Sequence, residues 1–162
     1  MVDGQAADVA ARTLAELVPR LGRLIAGALE TDPDVSLSLR QYRMLERLAE
    51  RPHRTSELAS TSGVSQPTAS AAVGSLEARG LVVREPDPAD RRAALITLTE
   101  QGRAMLAVAK ARVLERLVLI TRDMSEEQAE ALKALQPVLT EGMDRTRDEL
   151  RRARAQRSAP QG

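Results

Sequence analysis

The sequence contains no cysteine, no tryptophan and no phenylalanine, and it has a single histidine. Without cysteine, the chain has no disulfide, no thiolate metal ligand and no thiol redox sensor. His53 alone cannot form a histidine acid–base pair, and no carboxylate-rich cluster in the sequence predicts a metal site. The sequence therefore indicates no cofactor, and it offers no nucleophile–base pair or phosphate loop that would predict an enzyme.

Aromatic side chains and long apolar runs are also scarce. Tyr42 is the only aromatic residue, which disfavours single-stranded nucleic acid as a ligand because such proteins stack bases on aromatic rings. No apolar run approaches ~20 residues, and the N-terminus MVDGQAADVA lacks the regions of a signal peptide. We therefore expect a cytoplasmic protein without a membrane partner. The net charge of +1 leaves double-stranded DNA open, because 24 basic residues can be concentrated locally.

Hydrophobic periodicity predicts a largely helical chain. Apolar residues recur at helical spacing from about residue 6 to residue 29, which predicts one long amphipathic helix. A second helix is predicted over SLRQYRMLERLAER. A short third helix is expected from about Glu57, with Thr55 or Ser56 as its N-cap.

A fourth helix is predicted within SGVSQPTASAAVGSLEARG, residues 62–80. Gly63 is well placed to end the third helix, Ser65 is a good N-cap for the fourth, Pro67 falls in its first turn, and Gly80 ends it. At 100° per residue the face opposite the apolar one carries only small or neutral residues: Pro67, Ser70, Ala71, Gly74, Ser75 and Ala78. Such a face lets another molecule approach closely, although a neutral surface or a close helix contact is equally compatible with it.

The periodicity changes after the fourth helix. LVVRE and ALITL are short β-branched runs separated by PDPADRRA, which predicts a two-stranded hairpin with a charged tip. Further helices are expected after Thr99 and after Ser125, the second running to about residue 150. We therefore predict a mostly α fold with a small β-hairpin wing, a winged helix-turn-helix flanked by N- and C-terminal helices.

In a winged helix-turn-helix the second helix enters the DNA major groove. The residues predicted to contact DNA from this helix are Ser65, Gln66, Pro67, Thr68, Ser70 and Ala71. Arg91 and Arg92 at the hairpin tip are predicted to reach a minor groove, where arginine is attracted by the negative potential. Asp90 is interpreted as a turn-former or as a carboxylate that holds an arginine. A solvated turn is the alternative for this tip.

Residues 55–106 resemble the DNA-binding core of the MarR family of bacterial transcriptional regulators. The matching segments are ELA, GVSQPT, LEARGLV, DPADRRA and LTEQG, in the family's order and spacing. The resemblance implies an obligate homodimer that binds an inverted-repeat operator in double-stranded DNA, most commonly as a repressor. Family members often carry larger polar or charged residues at the positions where this sequence has Ala71 and Gly74. We therefore expect fewer base hydrogen bonds here and more reliance on thymine-methyl contacts and DNA shape.

The resemblance also divides the chain. It implies an N-terminal dimerisation helix over residues 1–34, a DNA-binding lobe over 35–100 and C-terminal dimerisation helices over 101–150. Residues 151–162 are polar and are predicted to be a disordered tail, whose arginines either attract DNA loosely or only increase solubility. The apolar stripes exceed what one small lobe can bury, and the residues predicted to dimerise are Leu14, Leu17, Leu21, Ile25, Leu132, Leu135 and Leu139.

The sequence also leads to expectations about a small-molecule ligand and about a competing function. The resemblance implies a small phenolic or aliphatic acid effector in a cleft between the two lobes, with Leu39, Tyr42 and Arg43 as candidate lining. Tyr42 as a core residue is the alternative. A winged-helix protein-interaction module without specific DNA binding also remains open. The arginines near the module favour DNA over a protein partner, unless they only form a solvated helix face: Arg40, Arg43, Arg47, Arg51 and Arg54.

Overall fold

A computed structural model describes residues 4–158 of the chain, excluding the side chains at positions 91, 151 and 154–158. The described chain forms two compact units, with the boundary between Leu119 and Ile120. In chain order the elements are α1 Gly4–Glu30, α2 Leu39–Glu50, β1 His53–Arg54, α3 Thr55–Ser62, α4 Gln66–Ala78, β2 Val82–Asp87, β3 Asp90–Leu98, α5 Glu100–Thr121 and α6 Glu126–Ser158. The predicted winged helix-turn-helix, formed by α3, α4 and the β2–β3 hairpin, is confirmed.

The sheet has three antiparallel strands in the order β1-β3-β2. β1 was not predicted, because two residues are too few to show alternation, and His53 pairs with Ile96 of β3. The hairpin strands extend further toward the tip than the β-branched runs predicted, since the ladder ends only at the Asp87–Asp90 pair. Pro86 is tolerated because β2 is an edge strand, and a bulge follows it.

Local hydrogen bonds set most helix ends where the sequence predicted them. Gly63 ends α3 with φ of 66°, a left-handed conformation that favours glycine. Ser65 caps α4, and Thr99 caps α5 by accepting the Gly102 N–H at 3.0 Å. The prediction for α3 was wrong: the helix already begins at Thr55, and neither Thr55 nor Ser56 is its N-cap. The carboxylate of Glu57 instead accepts the Arg54 backbone N–H at 2.9 Å.

One hydrophobic core joins α2, α3 and α4 to the sheet and to the first half of α5. Leu45, Leu58 and Leu76 are wholly buried in it. Leu29 at the end of α1 also belongs to this core, so the last turn of α1 packs with the DNA-binding lobe predicted from the sequence. At Gly102 a Cβ would lie 2.0 Å from the Leu81 carbonyl oxygen, which makes glycine necessary for the close approach of α5 to the sheet.

The C-terminal helix is longer than expected. α6 continues to Ser158, so residues 151–158 are helical and not disordered as predicted. The remainder of the predicted tail, residues 159–162, lies outside the described residues. The polar composition hid this last part of α6, because residues 151–158 carry no apolar stripe from which a helix can be predicted.

Candidate nucleic-acid interface

Helix α4 buries one face in the core and exposes a small-residue face. Ala69, Val73 and Leu76 are wholly buried. Of the predicted DNA contacts, the structure exposes Ser65, Gln66, Pro67, Ser70 and Ala71, whereas Thr68 is half-buried. The helix therefore presents a neutral surface of small side chains that allows its backbone close to another molecule.

Two of these predicted contacts are engaged within the helix end. The Ser65 hydroxyl oxygen accepts the Thr68 backbone N–H at 3.3 Å, and it lies 2.7 Å from the Thr68 hydroxyl oxygen. Through these hydrogen bonds, Ser65 and Thr68 serve first as the N-terminal cap of α4. Gln66, Ser70 and Ala71 lie free on the exposed face of the described helix, so they are the better candidates for base contacts.

The other end of α4 is anchored by Arg79. Its guanidinium donates to the carbonyl oxygens of Val35 and Ser36, each at 2.8 Å. Ser36 has a positive φ of 44°, which is strained for a residue other than glycine. The two hydrogen bonds from Arg79 therefore hold a strained turn between α1 and α2. The small-residue face is thus fixed at both ends of the helix.

The wing tip carries the predicted arginines. Arg92 is exposed, and its backbone N–H donates to Asp90 Oδ1 at 3.1 Å. Asp90 therefore shapes the tip, consistent with its interpretation as a turn-former. The side chain of Arg91 lies outside the described part of the structure.

A buried carboxylate that the sequence indicated only as a turn residue holds the wing. Asp87 is 6% exposed and accepts from Arg54 Nε at 2.7 Å and from the Ala89 backbone N–H at 2.8 Å. The Ala89 hydrogen bond, followed by the bond from Arg54, lowers the pKa of Asp87. Arg54 also lies 3.8 Å from Asp90. One guanidinium on β1 thus links both aspartates of the hairpin tip.

Comparison with known proteins agrees with this geometry. The model of the MarR family matches residues 35–93. The HTH-type transcriptional regulator YxaD of Bacillus subtilis is 32% identical over 96 residues, covering 59% of this chain and 67% of YxaD. The chain belongs to the MarR family.

Two further relatives have more specific names. The HTH-type transcriptional repressor NicR of Pseudomonas putida is 44% identical over 55 residues, which cover 34% of this chain and 35% of NicR. The structure of CouR from Rhodococcus jostii bound to p-coumaroyl-CoA is similar, with a TM-score of 0.62 and 30% identity, over 82% of this chain and 92% of CouR. The matches place the winged helix-turn-helix of this MarR-family protein among transcriptional regulators.

Three of the arginines that were expected to favour DNA are engaged within the protein. Arg47 donates to the Thr61 carbonyl oxygen at 3.0 Å. Arg51 bonds the Pro52 carbonyl oxygen, and Arg54 pairs with Asp87. The number of arginines is therefore weaker support for DNA binding than the sequence indicated, and of the five only Arg40 and Arg43 have exposed side chains without such a bond in the described chain.

The predicted ligand-lining residues differ in their burial. Tyr42 is buried in the core, where its hydroxyl donates to Glu46 Oε1 at 3.0 Å. Burial and then this hydrogen bond raise the pKa of Tyr42 to about 12. Leu39 is half-buried against the same core, while Arg43 is exposed. Tyr42 thus belongs to the core and its hydroxyl is bonded to Glu46, and its contact with a ligand stays a prediction.

A cavity of about 850 Å³ lies elsewhere in the first unit. The end of α1 and the loop after it form one side, with Thr31 and Asp32, and α5 forms the other, with Arg112 and Val118. Arg112 Nε lies 2.8 Å from Asp32 Oδ2. Across the described residues 4–158, no group of three His, Asp or Glu side chains could hold a metal ion, and no helix is long and apolar enough to span a membrane.

We expect Arg54→Met to loosen the wing, because Asp87 would stay buried without its guanidinium partner. The melting temperature should fall by roughly 5 °C, and duplex DNA should bind more weakly. Thermal unfolding and a DNA titration measure both effects. The double variant Arg54→Met/Asp87→Asn should recover part of the stability, because asparagine removes the buried charge. A wild-type melting temperature in Arg54→Met would show that the pair does not hold the wing.

His53 is the one histidine and is buried beside this wing anchor. Its side chain is 8% exposed, and the Glu57 carboxylate and the Arg47 backbone lie beside the ring. Burial, followed by the charge of Arg51, lowers the pKa of His53, while Glu57, whose Oε2 lies 3.6 Å from Nδ1, acts in the opposite direction. The ring is therefore neutral at neutral pH.

The lowered pKa predicts a pH-dependent stability. The unfolded chain binds a proton at His53 more readily than the folded chain does, so folding should weaken as the pH falls below the unfolded value of 6.5. We expect the wild type to lose stability relative to His53→Leu between about pH 7.5 and about pH 5.5. Chemical denaturation of both proteins across this range measures the difference. Parallel stability curves would contradict the prediction.

Proposed function

We propose that this MarR-family protein is a homodimeric repressor that binds an inverted-repeat operator and is released by a small-molecule ligand. The observation that carries the proposal is the exposed small-residue face of α4, in a winged helix-turn-helix whose wing carries the exposed Arg92. An α-helix with such a face fits the major groove while a neighbouring arginine reaches the minor groove. The name of NicR as a repressor supports this mode of control.

A second copy of the chain is proposed to cover the exposed apolar rows. In the first unit, Leu14 and Leu17 of α1 are 38% and 46% exposed. In the second unit, Leu132, Leu135 and Leu139 of α6 are 53%, 52% and 37% exposed. Rows of this kind in water favour association, and a two-fold dimer would place two α4 helices on one operator. Leu21 and Ile25 are already half-buried and remain proposed dimer contacts.

The ligand is proposed to be a small acid. The support is that CouR is bound to p-coumaroyl-CoA, whose acyl part derives from a phenolic acid, and that this chain has an 850 Å³ cavity between the end of α1 and α5. Its lining includes the apolar Leu114 and Val118 together with Arg116, which suits an anion with an apolar body. Such a ligand releases DNA only if it binds more tightly to a dimer whose α4 helices are wrongly spaced.

Selection of bound duplexes from random DNA tests the proposal. We expect an inverted repeat with half-sites about one helical turn apart, ~34–36 Å. Light scattering at micromolar concentration should give a dimer, and adding phenolic and aliphatic acids should identify any ligand that releases the duplex. Equal affinity for a scrambled duplex at physiological salt would favour the protein-interaction alternative. A monomer would contradict the proposed dimer.

A further inference from the structure

Ser75 lies on α4 outside the set of residues predicted to contact DNA. It is exposed in the third turn of the helix, on the small-residue face. Its hydroxyl oxygen is 3.1 Å from Nε2 of Gln41, which belongs to the first turn of α2. This contact joins the two helices across 34 positions of sequence.

The direction of this hydrogen bond is fixed by the backbone. The Ser38 backbone N–H donates to Gln41 Oε1 at 2.9 Å. A backbone N–H can only donate, so the Gln41 atom that it contacts must be the amide oxygen. The other end of the amide is then the NH₂ group, which also only donates. The Ser75 oxygen is therefore the acceptor of the bond to Gln41.

The consequence is a free donor on the exposed face of α4. A serine hydroxyl has one hydrogen to donate and two lone pairs. Gln41 occupies one lone pair of Ser75, and no acceptor in the described chain takes the hydroxyl hydrogen. By contrast, the Ser65 hydroxyl is already shared with Thr68. Ser75 thus offers its O–H to whatever molecule approaches this face.

We infer that Ser75 donates a hydrogen bond to operator DNA and that Gln41 is the positioning residue that fixes this polarity. The inference rests on the proposed function. The partner atom is a hydrogen-bond acceptor on the duplex, either a phosphate oxygen or a base acceptor such as guanine N7. Ser75 lies about 13 Å along the helix axis from Gln66. Because the major groove is about 12 Å wide, a phosphate at its edge is the favoured acceptor.

Two single variants and their combination test the inference. Ser75→Ala removes the donor and should not lower the melting temperature, since alanine favours an exposed helix. Gln41→Glu keeps an oxygen for the Ser38 N–H and so preserves the capping box. It replaces the donor with an acceptor, which makes the Ser75 hydroxyl turn inward and donate to the glutamate.

We expect Ser75→Ala to bind the selected operator about threefold to tenfold more weakly than the wild type. Gln41→Glu should lose at least as much, because its added charge also repels DNA. In the double variant, Gln41→Glu should cost less than it costs in the wild type, since the donor is already gone. Strictly additive losses, or an unchanged affinity in Ser75→Ala, would overturn the inference.

Modified duplexes identify the acceptor. If Ser75 donates to a phosphate, a neutral methylphosphonate at that position should abolish the difference between Ser75→Ala and the wild type. If it donates to a base, the loss should be confined to one base pair, and 7-deazaguanine should reproduce it. A wild type without preference for any operator would instead refute the proposed function, which makes that failure distinct from the failure of this inference.

Discussion

An Arg92→Ala variant is expected to bind duplex DNA about tenfold more weakly than the wild type and to show a flatter salt dependence. The Arg92 side chain is exposed at the wing tip, and no carboxylate of the described chain pairs with it. Its charge is therefore available to the negative potential of a groove. The proposed dimer would carry two such arginines, so the slope of log affinity against log salt should fall by about one to two units.

The affinity loss should be similar on operator and scrambled duplexes, because the wing acts through groove potential and backbone. Titrations at several salt concentrations measure it. Arg12→Ala is the matched control, since it removes the same charge from α1, outside the winged helix, where Arg12 pairs with Asp8 at 2.9 Å. Unchanged binding in Arg92→Ala would remove this arginine from the mechanism.

Replacing Gly102 with alanine should destabilise the winged-helix unit by about 3 kcal/mol. The new Cβ would meet the Leu81 carbonyl oxygen at 2.0 Å and Leu98 Cδ1 at 2.7 Å. A backbone carbonyl cannot move aside as a flexible side chain can, so α5 must shift away from the sheet. We expect the melting temperature to fall by roughly 10 °C, with a parallel loss of DNA binding.

Gly27→Ala is the control for this substitution. No atom lies within 4 Å of the Cβ that it would add in α1. Its effect should therefore be neutral or stabilising by up to ~1 kcal/mol, from helix propensity alone. Thermal melts of the two variants decide the matter: similar melting temperatures would show that α5 adapts without cost.

Features with local causes were predictable from the sequence. The N-cap Ser65, the left-handed Gly63 and the Thr99 cap follow from hydrogen bonds that span three or four residues. The hairpin was predictable because β-branched runs and turn residues are also local signals. Its exact length was not, since the outer strand pairs depend on the partner strand.

The candidate site was only partly predictable from such local signals. The sequence placed Ser70 and Ala71 on the outer face of α4 because a helix has a fixed period, and it named Gln66 as a candidate contact at the helix start. It could not show that Arg47 and Arg51 bond within the protein. It also did not predict the hydrogen bond from the Tyr42 hydroxyl to Glu46. Their DNA or ligand contacts were predicted from residue type, but residue type does not say which neighbour satisfies a polar group. The DNA contacts on α4 and the wing remain predictions.

The sequence by itself determined the family, the order of the helices and the position of the wing, because helical period, caps and turns depend on residues that are neighbours in the sequence. Only the tertiary structure decided that Arg54 holds Asp87, 33 positions away, and that Gln41 sets the polarity of Ser75. These pairs form because packing of the core brings distant segments within hydrogen-bond distance. Neither periodicity nor composition specifies which distant residues meet there.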